Sequence, residues 1–516
     1  MSLREEVPLR LLLSLFLIRS LPMSRCVVAR VKPAAWFWSM ACVLLCGCPM
    51  GSRPAAPVGS VTPFKGQEVE LLVPQALGLP ATWDVLLQEW SSQSGATIRW
   101  TEYTPDQEPT LGTQLQEPTG SGGRVVLFPI SRLSELDRGL APLDFRGDSG
   151  FDTKDLYKGL RERVMSRERL PVAIPIAAPV LVCYFRRDLL KAAGLKPPET
   201  WEEYQALLDT LDRWAPGLTA VEPLGPEHRA TLFFARSLAF AKHPENYSVW
   251  FDLETSESLL QSPGFVEGLA SSQRAWQRMA PIIAEQTPAT CRRAIIEGRA
   301  ALAIGYEPAN ADRDSPRIER AAGIDIGVCR LPGTKKTFNR NSQRWETSPG
   351  GRVHAPGLCG ATGLALGISL PTNGSKDVAA WNLVATLAES QFESAWLTLP
   401  KTPCRESQTG NAPTWNEDGL TAEEASQYVD AVAQTLRDPQ LVANFPVPQA
   451  TTFRTAATQF VTAVLSDGAR AAEELAQLNE QFDRITTEAG KELFRAAYRR
   501  GLGLADPSQL ARPMDR

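Results

Sequence analysis

The sequence predicts an α/β protein built as more than one body, on three observations. Short apolar strands alternate with helices from residue 69 onward, the order that gives a mostly parallel sheet. Residues 170–185 (LPVAIPIAAPVLVCYF) are almost wholly apolar, yet Pro171, Pro175 and Pro179 remove backbone donors, so the run is neither a helix nor one continuous central strand. It reads as chain crossing between two bodies and then entering a strand at 180–185. A chain of 516 residues is also long enough for two or more domains.

Taken in order, residues 69–73 (VELLV) form the first strand. Residues 83–93 form a helix with Trp83, Leu86, Leu87 and Trp90 on one face. An alternating second strand spans 97–103 and a third spans 125–128, followed by a helix from Ser131. Ligands in open α/β sheets sit at the carboxyl ends of strands, which makes Gln75, Tyr103 and Phe128 cleft candidates on topology alone. After the 180–185 strand, a short helix over 187–193 is stopped by Gly194. Pro197-Pro198 forbids helix, Thr200 is an N-cap, and Glu203 three residues on completes a capping box. A helix follows a Pro/Gly loop at 228–242, and another ends at Glu297 with Gly298 as its C′ residue. Residues 300–304 are a strand, after which the chain opens at Gly305-Tyr306-Glu307. Residues 334–356 are polar and read as an insertion or long loop. Trp345 stands alone there, either capping a cleft or packing the loop down. Helices are expected at 376–390, 419–438, 452–465 and 468–485.

The start of the chain reads as a leader. Arg25, Arg30 and Lys32 form a basic region after Met23, and 34–45 (AAWFWSMACVLL) is an apolar run too short for a comfortable bilayer span. Residues 1–48 are therefore expected to be a signal peptide with Met23 as an alternative start. Its end, Leu45-Cys46-Gly47-Cys48, resembles a bacterial lipobox, so Cys48 is expected to carry lipid. A plain transmembrane anchor is the competing reading. Residues 49–65 are Pro, Gly, Ser and Ala with little apolar mass, a flexible tether.

Several stretches together resemble the family 1 extracellular solute-binding proteins, which deliver sugars and similar solutes to ABC transporters. The resemblance rests on Ala173-Ile174-Pro175, Cys183-Tyr184-Phe185, Asp188-Leu189-Leu190, Ala193-Gly194-Leu195 and Pro197 through Glu203. It extends to Gly139-Leu140-Ala141-Pro142-Leu143, to 290–308 (TCRRAIIEGRAALAIGYEP), to the strand 324–332 and to 357–370 (GLCGATGLALGISL). Arg124 departs from it by replacing an acidic residue. The resemblance implies a type II periplasmic-binding-protein-like fold: two lobes, each with its own sheet, flanking helices, and a hinge of two or three crossings. Lobe 1 is expected at 66–175 plus 361–405 and lobe 2 at 180–355 plus 410–516. Gly360 and Gly363 at the second crossing permit close backbone approach and hinge torsions. The resemblance also implies an aromatic ligand contact at Tyr306, although a half-buried loop tyrosine is an equal reading. Glu307 suits sugar hydroxyls as an acceptor, or is a loop acid facing solvent. With Tyr103, Gln75, Phe128, Trp345 and the Ala361-Thr362 backbone, these are the candidate ligand residues.

The formal net charge of −4 gives no reason to expect nucleic acid. Nine cysteines and three histidines show no CxxC and no zinc pattern, so no metal is expected. Cys359 with Cys404, or Cys329 with Cys359, would bridge in an oxidising compartment, and the five cysteines beyond the leader leave one thiol over. No GxSxG is present. The chain is therefore expected to be a monomeric extracytoplasmic receptor without catalytic activity or cofactor. Its partners would be a small polar solute, with carbohydrate implied by the resemblance and polyamines remaining open, and the transmembrane subunits of a permease. The membrane would be reached through the lipid anchor. A glycan-processing enzyme with two carboxylates across the cleft, or a sensing or scaffold lipoprotein, are the alternatives.

Overall fold

The computed structural model describes residues 62–75, 81–104, 108–117, 121–143, 151–167, 170–279, 286–307, 318–370, 377–389, 403–410 and 419–504. The leader with Cys48 and most of the tether lie outside the described residues.

The first strands are β1 (Glu68–Pro74), β2 (Thr97–Tyr103) and β3 (Arg124–Pro129), which run parallel. From Val69 on, β1 is buried at every position, as befits a strand covered on both faces. A short ribbon, β4 (Ser166–Arg167) with β5 (Leu170–Pro171), leads into β6 (Ile174–Ala177). Then come β7 (Val182–Arg186), β8 (Thr219–Val221), β9 (Ala300–Gly305) and β10 (Ile326–Arg330). The remaining strands are β11 (Lys336–Asn339), β12 (Arg344–Thr347), β13 (Leu358–Cys359), β14 (Leu364–Ile368) and β15 (Val442–Ala443).

Two main sheets result. The five-stranded sheet has the order β2-β1-β3-β14-β6, and the four-stranded sheet has the order β10-β7-β9-β8. In the first, β14 is antiparallel to both β3 and β6. In the second, only β8 and β9 are parallel. The period of two along β7 divides its side chains between two cores. Val182 and Tyr184 join the cluster that also holds the first sheet, while Cys183 and Phe185 join the second cluster. The first cluster is thus continuous from one sheet onto one face of the other.

Local signals explain the helices. Thr200 Oγ accepts from the Glu203 amide at 3.2 Å, and the Glu203 carboxylate accepts from the Thr200 amide at 3.2 Å. This reciprocal box starts the helix Trp201–Asp209. Thr421 and Glu424 repeat it at the helix Ala422–Leu436. Gly194 and Gly298 both adopt positive φ at helix ends, as expected for C′ glycines.

One expectation changes, and two further segments take a definite form. Residues 153–165 form a 3-10 turn, Lys158–Leu160 and a π-turn over Arg161–Met165. Residues 334–356 are not plain loop, since β11 and β12 form an antiparallel hairpin across them. The hairpin is tied down: Asn339 Nδ2 donates to Glu346 and Glu245, both at 2.9 Å, and the Arg340 amide donates to Asn246 Oδ1 at 2.9 Å. The segment past Gly490 also has a structural role. Its helix Lys491–Gly501 inserts Phe494 and Tyr498 beside Phe251, at ring separations of 4.8 and 5.3 Å.

Candidate functional site

The chain passes from the first sheet to the second through residues 178–181, between β6 and β7, and comes back through 360–363, between β13 and β14. The two crossings touch. Gly363 has φ of +103°, and a Cβ there would lie 2.1 Å from the Ala177 carbonyl oxygen. Gly360 also has positive φ, +75°. Only glycine accommodates both the torsion and the contact at 363.

Beside these crossings lies a slot with about 620 Å³ of empty space, solvent at its mouth included. Pro179, Val180, Leu181, Gly357, Leu358, Ala361 and Thr362 supply its crossing side. Tyr306, just past β9, supplies an aromatic wall, and the helix Arg229–Ala241 adds Thr231 and Ala235 with its N-cap His228. Arg330 ends β10, Leu331 and Pro332 follow it, and Thr435 comes from the helix Ala422–Leu436.

Tyr306 packs against both apolar clusters and shares the slot wall with Thr362, so it stands where the end of β9 meets the second crossing. Burial pushes its phenol up to about 12, keeping it a neutral hydroxyl. Burial also pushes the His228 imidazole below its ordinary value, against a smaller opposing effect of Glu227. The neutral ring can therefore both donate and accept. Arg330 is not a free cation: its Nη2 donates to Asp438 Oδ2 at 2.7 Å and to the Ala355 carbonyl at 2.5 Å.

Of the residues singled out from sequence, the structure brings Tyr306, Ala361 and Thr362 together in the slot. The others lie elsewhere. The Glu307 carboxylate is buried beneath it and committed: Arg292 Nε donates to Oε1 at 2.6 Å, Arg292 Nη2 lies 2.6 Å from Oε2, and Tyr184 Oη donates to Oε1 at 2.9 Å. Tyr103 is buried with its hydroxyl donating to the Leu127 carbonyl at 2.9 Å. Phe128 is fully buried inside the first sheet. Phe128 belongs to an interior strand buried on both faces, whereas Tyr103 ends an otherwise largely exposed edge strand and alone turns into the core. Gln75 is exposed at the end of β1, away from the slot lining. Trp345 is 42% exposed on β12 and meets Phe338 edge-on at 5.7 Å, so it stays with the hairpin. His228, Thr231 and Thr435 were not singled out, because a polar residue on a helix or at its start gives no periodic signal of the direction it faces.

Among the described residues no group of three or more His, Cys, Asp or Glu could hold a metal ion. No described helix is long and apolar enough to cross a membrane.

A family model described as bacterial extracellular solute-binding protein matches residues 86–423, and the chain belongs to that family. Its fold is the two-lobe α/β fold of solute-binding proteins. An ABC transporter solute-binding protein from Agrobacterium radiobacter K84, solved with ribitol, aligns over 82% of this chain and 100% of its own, with TM-score 0.57 and 18% identity. The maltose-bound MalE3 of T. maritima aligns over 81% of this chain and 99% of its own, with TM-score 0.57 and 16% identity. The sugar-binding protein MalE of Xanthomonas citri aligns over 82% and 98%, with TM-score 0.58 and 18% identity. No curated protein matches the chain in sequence.

Proposed function

We propose that the protein is the extracytoplasmic receptor of an ABC importer, and that it holds a sugar or a similar small polar solute in the slot beside the two crossings. The observation that carries this is the position of Tyr306. An aromatic ring stands just past the end of β9 against the second crossing, lining the slot together with Thr362. A solute seated there touches the chain where lobe movement is set, so closure can report occupancy to a permease. Tyr306 offers a face for a sugar ring, and Thr362, Thr231 and neutral His228 offer hydrogen bonds to hydroxyls. Among the described residues the slot is lined by no carboxylate, which favours a neutral polyhydroxy solute over a polyamine. The ribitol, maltose and mannitol held by structures of like fold agree with that class.

The finer assignments belong to the same reading. Residues 66–175 with 361–405, and 180–355 with 410–516, are the two lobes. Lipid on Cys48 after leader removal would anchor a monomeric body outside the cytoplasm, and intact-mass measurement of the membrane-extracted protein tests it.

A thermal-shift screen against sugars, polyols and cationic solutes tests the function. A true ligand at 100 times its Kd stabilises by about 2.7 kcal/mol. A shift with cationic solutes alone would overturn the carbohydrate class, and no shift with any class would overturn the receptor reading.

A further inference from the structure

The antiparallel register of β7 and β10 places Cys183 directly opposite Cys329. Residues so paired project to the same face, with Cα atoms about 4.5–5.5 Å apart, inside the range a disulfide spans. Both side chains belong to the second apolar cluster, Cys183 inside it and Cys329 packed against it, and both are present as free thiols. Neither bridge considered from the sequence matches this: Cys329 faces Cys183, while Cys359 lies on β13 opposite Ala443.

The two sulfurs differ in access. Cys183 is fully buried. Cys329 is half-buried and lines a groove on the surface with Glu199, Gln427 and Gln434, which shares Arg330, Leu331 and Ala355 with the solute slot. β10 is an edge of its sheet, and its outer amides at Ile326 and Val328 donate to Glu424 and Gln427 of the helix Ala422–Leu436. The contact with Cys329 and burial both hold the Cys183 thiol well above its usual range. Cys329 is therefore the sulfur that reacts first.

We propose that Cys183 and Cys329 are a redox couple, closing to a cross-strand disulfide by exchange with a small or protein disulfide outside the cytoplasm. This rests on the extracytoplasmic setting of the family and not on the identity of the solute. The Cys329 thiolate attacks the oxidant's disulfide, whose S–S bond breaks and releases one thiolate. The Cys183 thiol then gives up its proton and attacks the Cys329 sulfur, expelling the second thiolate. Two electrons pass from the couple to the oxidant, one disulfide is consumed and one formed, and both protons end on the released thiols. The product staples the edge strand just before Arg330-Leu331-Pro332, a wall of the slot.

The test is peptide mapping of the full chain after native incubation with oxidised glutathione and quenching with N-ethylmaleimide in denaturant. The expected result is near-complete loss of labelling at Cys183 and Cys329, a linked peptide pair containing both, and full reversal by dithiothreitol. Cys183→Ser should instead trap glutathione on Cys329, and Cys329→Ser should leave Cys183 fully labelled. Retained labelling of both cysteines in the wild type, stable glutathione on wild-type Cys329, or a Cys329–Cys359 link would overturn the proposal. The wild-type map decides even if the Cys183 variant does not fold.

Discussion

Arg292 and Glu307 form a two-pronged ion pair with both side chains out of solvent, their contacts at 2.6 Å. The pair binds the helix Pro288–Ile296 to the end of β9, and Tyr184 Oη adds β7 to the same carboxylate. Since Glu307 follows Tyr306 directly, the pair sets where the slot's aromatic wall stands. Removing one partner strands the other as a buried charge, which costs about 3–5 kcal/mol. Glu307→Ala should lose that much in urea unfolding, and Arg292→Met/Glu307→Leu should lose clearly less. A single variant within about 1 kcal/mol of wild type would show that the pair is not desolvated in solution.

The glycines at the crossings make a sharper comparison. Gly363 and Gly194 both have positive φ, but a Cβ at 363 meets the Ala177 carbonyl oxygen at 2.1 Å while one at 194 meets nothing within 4 Å. Gly194→Ala should cost about 1 kcal/mol from torsion alone. Gly363→Ala should cost at least twice that and also weaken solute binding, because the two crossings must separate. Equal urea midpoints for the two variants would contradict the contact.

Much of the fold could be read from the residues that punctuate it. Of the prolines at 171–179 only Pro179 lies in the crossing, since Pro171 and Pro175 stand in β5 and β6, while the Thr200–Glu203 box and Gly194 marked helix ends within a residue or two. These are local devices, legible without the rest of the chain. The site was less legible. Tyr306, Ala361 and Thr362 met in the slot because a chain reversal brings β9 to the second crossing, but Glu307 turned inward to an arginine 15 residues earlier. Nothing in the spacing of Arg292 and Glu307 marks the pairing, since a helix and a strand intervene. Tyr103 and Phe128 show the opposite failure: position at a strand's end is legible, whereas the side to which that residue points depends on what covers the sheet.

Tyr306 separates ring from hydroxyl. With a solute identified by thermal shift, Tyr306→Phe removes only the hydroxyl and should weaken binding several-fold. Tyr306→Ala also removes the face on which a ring would lie and should weaken it at least about tenfold, or about 1.4 kcal/mol. Calorimetric titration reads both. Wild-type affinity in the alanine variant would remove Tyr306 from the site.

Lys242 gives stability a defined dependence on pH. It is buried, and its ammonium donates to the Asn246 carbonyl at 2.6 Å, to Gln440 Oε1 at 3.0 Å and to the His243 carbonyl at 3.2 Å. Burial first, then the Arg163 and Arg340 charges, lower its pKa from 10.5 to about 8, against a smaller opposing effect of Asp438. A lysine depressed in the folded state releases its proton there before it does in the unfolded chain. Between about 8 and 10.5 the unfolded state thus binds more protons, and stability attributable to this group rises with pH. Below that window both states are charged and the folded state carries the whole penalty of burying the ammonium. Above it both are neutral and the penalty is gone. The interval corresponds to about 3 kcal/mol. Other groups titrate in the same range, so the readout is the difference between wild type and Lys242→Met in denaturant unfolding at several pH values. Wild type should gain on the variant from pH about 8 to 10.5, and the difference between them should be constant on either side of that window. A difference that is flat across the window, or that falls, would show that the ammonium reaches solvent at the base of the hairpin.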